Sequence, residues 1–484
     1  MKVAAIVIAA AAVAGAAAAV TVFLLRQDET PEPAIRLDVP AQIVHPDPLR
    51  FEPGRTDEYE QAAAFGLSHV LFEKSPGGVI PAARRTARFR ALVDDATSGT
   101  GIDPDIVEAI VLLESAGRQD VIAGDDPANA AGLTQIVAGT ATDFLGMRVD
   151  LEESRRLTRL LGEAVRRGDD ADAARLRSER REVDARFDPE QALDGTVRYL
   201  TEATKVFGRD DLAVVSYHMG IGNLSDVVRA YTARQDDPVD TIVREAGVDY
   251  ARLYFDSSPT VQRASWELLA SFGDDSQTYY WRVLGALGIM QLLRSDPGRL
   301  ERLAELHDHL PSAALVLHPP GERERYADAT QLSDATGSGV LVPVEPSNGA
   351  HFAIDPQLQR VLAPLAENPS DYLALRPRAA RFLAFLSAKV YELGGEERPL
   401  ALTRAAYDEE AATELTPHDP GAAADADMHA TGFAFDIRRR YGSGAQAAAF
   451  QWTLERLEAL GLIAWTRGRS VIHIVVSPRA DVRA

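Results

Sequence analysis

The stretch "DPDIVEAIVLLESAGRQD", residues 103–120, decides how the first half of the chain folds. Asp103 followed by Pro104 starts a helix, with the aspartate as cap and the proline in the first turn. From Val107 to Leu113 the run is apolar nearly all round, so the helix lies buried in its domain. Glu114 comes directly after it. A carboxyl pressed against apolar neighbours has its charged form disfavoured, and its pKa rises. That property suits a general acid working near neutral pH. A glutamate at a helix end is ordinarily solvated, so the inference depends on the surrounding segments.

Helical patterning extends from about Asp57 to Leu310. Within it, residues 151–187 are densely charged, with a Gly-Asp-Asp break at 168–170. One narrow apolar stripe (Leu157, Leu160, Leu161, Ala164, Val165) predicts a protruding helical hairpin. Residues 311–355 carry Pro, Gly, Ser and Asp without period and are expected to connect domains. Beyond them the pattern changes. "RPRAARFLAFLSAKVYELGG" is a helix stopped by glycines, and "AQAAAFQWTLERLEALG" is a second helix. "PLALT", "GFAFDI" and "VIHIVV" read as strands. The expected organisation is 1–26 as an apolar anchor, 27–56 as a Pro- and acid-rich linker, 57–310 as an all-α body, 311–355 as a second linker and 356–484 as a small α+β domain.

Composition bounds the partners. The 484 residues include 51 basic and 72 acidic side chains, a net charge of −21. That excess of acid excludes a nucleic-acid backbone as the main partner, because such binding needs Lys and Arg against phosphate. Cysteine is absent, which removes disulfides, thiolate metal sites and a cysteine nucleophile. Residues 3–25 form an uncharged run between Lys2 and Arg26, long enough as a helix (about 34 Å at 1.5 Å per residue) to cross a bilayer. An uncleaved membrane anchor is the preferred interpretation and a cleaved signal peptide the other. Both place the body of the protein outside the cytoplasm.

After Glu114-Ser115 come "AAGLTQI" (130–136), "FDPEQALDGTVRYL" (187–200), "LAVVSYHMGIGNL" (212–224) and "TYYWRVL" (278–284). This ordered set resembles the soluble lytic transglycosylases, relatives of goose-type lysozyme that cut peptidoglycan glycan strands. The resemblance covers roughly residues 88–290 and implies a mainly α, lysozyme-like domain with the 151–187 hairpin as an insert. It implies Glu114 as the catalytic acid and base, a 1,6-anhydro-muramyl product, and no cofactor. Only one essential acid is needed, unlike the carboxylate pair of most glycosidases. The same resemblance makes Ser115, Gln135, Tyr217 and Tyr279 the substrate-side residues. Two departures stand out: Ser216 and His218 occupy positions where the family has Ala and Asn.

In the last domain, His429, Gly432, Ala434 and Asp436, joined by His473, resemble the zinc-binding core of the D-Ala-D-Ala carboxypeptidases and dipeptidases. The resemblance implies a zinc-peptidase-like antiparallel sheet and Zn2+ held by His429, Asp436 and His473. Two imidazoles and a carboxylate make an ordinary zinc shell. Three positions depart from that family: Ser470 stands where its acidic base is, Tyr407 aligns with its carboxylate-binding Arg, and Asp427 replaces a Ser. Asp427 and Glu410 are the carboxylates that could stand in for that base, and the sequence places neither beside the metal-bound water. The expected function is therefore a glycan-strand lytic transglycosylase with a degenerate peptidase-like module binding stem peptides. The alternatives are a wall hydrolase with an active zinc carboxypeptidase, and a non-catalytic wall-binding scaffold.

Overall fold

The computed structural model describes residues 47–309, 313–318, 324–346, 349–362, 369–396, 398–411, 426–478, 480 and 482. The apolar run at 3–25 lies outside them. Among the described residues no helix is long and apolar enough to cross a membrane. Contacts divide the described residues into two units, one of residues 70–250 and 269–304, the other built from 47–69, 251–268 and those from 305 onward.

The first unit is helical. In helix α1 (Pro104–Ser115) the Asp103 side chain accepts the Asp105 N–H at 2.8 Å, and Pro104 takes the first turn. Val107, Ile110, Val111 and Leu112 are at most 3% exposed. Each such side chain contributes about 1.5–3 kcal/mol by leaving water. Ala116, in a left-handed conformation, ends the helix. The charged segment folds as a hairpin of α2 (Leu151–Arg167) and α3 (Asp170–Val183), reversing at Gly168. Leu157, Leu161 and Ala164 meet Ala173 and Leu176 along its seam, whereas Val165 is exposed. Buried Arg180 ties the hairpin to its unit through Asp120 at 2.8 Å, with its guanidinium 3.7 Å from the Phe187 ring centre. Helices α4 (Pro189–Phe207) and α5 (Asp210–Met219) pack together, and α6 (Tyr279–Ser295) lies along α1. Buried Glu108 on α1 is paired with Arg90 and with Arg294 of α6, which locks those two helices.

The second unit holds a five-stranded sheet: β1 (Phe352–Ile354), β2 (Leu400–Arg404), β3 (Ala434–Arg438), β4 (Ile463–Arg467) and β5 (Val471–Val476), in the order β1-β2-β3-β5-β4. Strands β1 and β2 are parallel and the other pairs antiparallel. Leu402, Phe435, Ile437, Ile472 and Ile474 point to one face and are buried there. Helices α7 (Pro377–Gly394) and α8 (Gly444–Ala459) pack on each other and on this sheet. The opposite face carries Ala434, Asp436 and Arg438 of β3, facing Val475, His473 and Val471 of β5.

Two expectations about boundaries are corrected. Residues 324–355, expected as a linker, contain the helix Ala329–Gly337, a short strand and β1. Tyr326, Leu332 and Leu341 form a small core there with Tyr372, Ala374 and Tyr407. Apolar residues supplied singly by several short elements leave no period in the sequence to betray a core. Residues 57–69 and 251–268, expected in the α-helical body, belong to the second unit, together with 47–56 of the expected first linker. Trp452 and Arg456 of α8 donate to the carbonyls of Ser257 and Tyr254 at 2.7 and 2.9 Å, and Tyr59 packs on Phe255. Helical periodicity shows which face is apolar but not what covers it.

Candidate active site

Glu114 closes the last turn of α1, and Tyr279 opens α6. Because these helices pack side by side, the Tyr279 hydroxyl donates to Glu114 Oε1 at 2.8 Å. Burial pushes the Glu114 carboxyl up to about 7, while the Tyr279 hydrogen bond and the Arg282 charge pull it partly back. Arg282 is held on Asp275 at 2.8 Å, which blunts its pull. At neutral pH the carboxyl is thus divided between its acid and its base forms.

Tyr279 is fully buried and sits in a row of rings. His218 stacks on it at 5.0 Å and Tyr217 at 6.5 Å. Tyr199 meets Tyr217 edge-on at 5.3 Å, and Phe144, 49% exposed, continues the row at 5.7 Å. Of these rings His218 and Phe144 are exposed and Tyr217 is half-buried, whereas Tyr279 and Tyr199 are buried. Tyr217 does not present a free hydroxyl. It donates to the Thr134 carbonyl at 2.8 Å and meets Thr196 Oγ1 at 3.1 Å, so it clamps the loop carrying Gln135.

That loop is held from its other side by buried Arg186, which donates to the carbonyls of Pro127, Asn129 and Ile136 while paired with buried Asp184. At Gly132 an added Cβ would stand 1.7 Å from the Arg186 carbonyl oxygen, so only glycine lets the two segments close. Gln135 itself has φ of 55°, and its carboxamide nitrogen donates to Val121 and Gly132 carbonyls at 3.1 and 2.9 Å. A left-handed glutamine in a doubly anchored loop is a strained backbone position.

The structure therefore brings Glu114 and Tyr279 together, with Tyr217 adjacent. Ser115 does not join them: it is 2% exposed, and its hydroxyl returns to the Val111 carbonyl of its own helix at 3.2 Å. His218, flagged in the sequence only as a departure, stacks on Tyr279 and contacts Ser276 Oγ through Nδ1 at 3.0 Å. Desolvation of its ring lowers its pKa from the usual histidine value. Its place directly after Tyr217 was the signal available in the sequence.

In the second unit, Asp436 of β3 stands opposite His473 of β5 and beside Arg404 of β2. His429 Nε2 and His473 Nδ1 both reach Asp436 Oδ1, at 3.0 and 2.8 Å, and Arg404 pairs with Oδ2 at 3.1 Å. His429 Nδ1 lies 2.8 Å from the Ala405 carbonyl, a contact that turns the other ring nitrogen toward the carboxylate. Burial opposes ionisation of Asp436, but the two imidazoles outweigh it and hold its carboxyl well below the usual range. Gly432 lets the chain close over this cluster, since a Cβ there would stand 2.5 Å from Leu341 Cδ2.

One donor atom from each of His429, Asp436 and His473 lies within 4.8 Å of the others, and all three residues are buried. The donor set fits a divalent cation: Arg404 and Ala405 orient the ligands from behind, and His473 Nε2 is a buried atom with no partner. Tyr407, aligned with the family's arginine, stacks on His429 at 5.0 Å. Ser470 and Glu410 are exposed, and the side chain of Asp427 lies outside the described residues.

A family model described as the transglycosylase SLT domain matches residues 170–239. The matched segment runs from α3 through α4 and α5 and contains Tyr217 and His218; Glu114, Gln135 and Tyr279 lie outside it. The match supports a lytic transglycosylase domain, and with it peptidoglycan as the substrate class. No curated protein matches the chain.

Proposed function

We propose that the first unit is a peptidoglycan lytic transglycosylase in which Glu114 serves as both acid and base. The observation that carries this is the Glu114 carboxyl, lifted to about 7 by burial and bound by the Tyr279 hydroxyl at 2.8 Å. Protonated Glu114 gives its proton to the oxygen of the MurNAc–GlcNAc linkage as the bond from that oxygen to the anomeric carbon breaks. The carboxylate so formed takes the proton of the muramyl 6-hydroxyl while O6 bonds to the same carbon. The product is a 1,6-anhydro-muramyl end; Glu114 regains its proton and no water is consumed. Tyr279 hydrogen-bonds the carboxylate between the two steps. Gln135 and the aromatic row at Tyr217 hold the sugars in register. The chain would act outside the cytoplasm, tethered there through residues 3–25.

The test is a digest of purified sacculi by the full chain. Anhydro-muropeptides are expected, and Glu114→Gln should release none. Wild type that leaves sacculi intact at several pH values would overturn the assignment.

The second unit is proposed to bind wall stem peptides, with His429, Asp436 and His473 holding a divalent cation such as Zn2+. A bound cation would supply positive charge and rigidity; Ser470 and Tyr407, in place of the family's base and arginine, argue against peptide cleavage. Metal analysis of the full chain with and without chelator tests the cation, and D-Ala release from a pentapeptide tests turnover. Chelator-sensitive release of D-Ala would convert the binding module into a peptidase.

A further inference from the structure

The strand that carries Asp436 continues into "RRR", and the same sheet face continues with it. Asp436 and Arg438 alternate to one side of β3, about 7 Å apart along the strand. Beside Arg438 lies a cleft of about 590 Å³ lined by Arg360, Arg398, Arg438, Arg439 and Arg440. Five guanidiniums around one cleft are anomalous in a chain whose net charge is −21. Asp355 is the carboxylate among the described lining residues, and it is already paired with Arg438 at 2.6 Å. Arg439 and Arg360 donate to backbone carbonyls of Gly468 and Pro356, contacts that orient a guanidinium without neutralising it. Arg398 and Arg440 are exposed at the rim.

We propose that this cleft is a binding site for a peptide bearing two or more carboxylates. Like charges gathered in a partly enclosed space repel one another unless an anion sits among them. Arginine's planar fork matches a carboxylate with two parallel hydrogen bonds. The guanidiniums come from different elements (β1's following helix, the approach to β2, and the end of β3) and ring the cleft rather than converging on one point. That spread fits charges distributed along a short peptide. Asp355 inside the ring would repel a compact phosphate dianion more than separated single carboxylates. A volume of this size accommodates a few residues of chain. Ser470, on the cleft wall where a peptidase would place its base, adds a hydroxyl suited to hydrogen bonding. That the natural ligand is a wall stem peptide rests on the second unit's proposed role; the anion selectivity does not.

Calorimetric titration of the full chain with triglutamate, trialanine and inorganic pyrophosphate tests the site. Triglutamate should bind, weaken with added salt, and outcompete both other probes. Arg398→Ala and Arg440→Ala, both at exposed positions, should each weaken it roughly tenfold, with Arg440→Lys between Arg440→Ala and wild type. Glu114→Gln should bind as wild type does. Equal binding of trialanine, preference for pyrophosphate, no binding of triglutamate, or unchanged affinity in both alanine variants would each overturn the proposal. Sacculus digestion by the same preparations separates the two claims, since cleavage without triglutamate binding removes the cleft alone.

Discussion

Two acids of this chain, Glu114 half-buried and Asp436 buried, are driven in opposite directions. Glu114 is raised to about 7 because burial outweighs one neutral hydroxyl and a guanidinium already engaged by Asp275. Asp436 is held far below its ordinary value because two imidazoles share one of its oxygens and Arg404 takes the other. The first can give and take a proton near pH 7; the second is a permanent anion suited to holding a cation. What separates them is chiefly the charge and hydrogen-bonding capacity of the neighbours, Asp436 being buried and Glu114 half-buried.

The contrast is broken most severely by deleting each acid. Glu114→Gln keeps shape and the Tyr279 contact but has no proton to transfer, so glycan cleavage should fall by about a thousandfold or more in a muropeptide digest. Thermal unfolding should barely change at pH 5. Asp436→Ala is expected to act oppositely: cleavage by the folded first unit persists, but the second unit loses about 1–3 kcal/mol, because buried His429 and His473 lose the carboxylate they share. Denaturant melts that show an unaltered second transition would refute that role for Asp436.

A smaller effect lies in the pH dependence of stability. Folding raises the Glu114 pKa, so its contribution to stability is complete below the unfolded value near 4.5 and lost as pH rises through about 7. Wild type and Glu114→Gln should therefore melt at similar temperatures at pH 4 to 5, with the variant more stable at pH 8. Identical differences at both pH values would show that Glu114 is ordinarily solvated.

Legibility in the sequence differed between the two sites for a physical reason. The Asp103-Pro104 cap, the apolar run and Glu114 are local features, and local features survive in one dimension. The strands at 434–438 and 471–476 were also readable, because each alternates or runs apolar for five or six residues. Contacts set by register were not. Arg404 meets Asp436 through an irregularity between Leu402 and Arg404, which no spacing rule anticipates. Strand β4 escaped notice because "IAWTR" follows directly on a helix with only "LGL" between them. The buried arginines 180 and 186 look like part of a solvated charged face in sequence, yet they anchor the hairpin and the Gln135 loop. The motif makes Ser115 a substrate-side residue, whereas its hydroxyl bonds within its own helix.

The finest distinction is between the two groups that lower the Glu114 pKa. Tyr279 touches the carboxyl, whereas Arg282 acts through space. Tyr279→Phe removes a hydrogen bond to a charged acceptor, worth about 1.5–3 kcal/mol, so the alkaline limb of the activity profile should move up by about one pH unit or more. Because the same hydroxyl stabilises the carboxylate between proton transfers, the rate at the optimum should fall as well, by roughly tenfold. Arg282→Leu should move the same limb upward by less and leave the optimum rate nearly intact, since it removes charge without removing a contact. Paired pH–rate profiles on soluble glycan strands separate the two. If Arg282→Leu lowers the maximum as much as Tyr279→Phe, the arginine also meets the substrate, and the acid is then tuned by direct contacts alone.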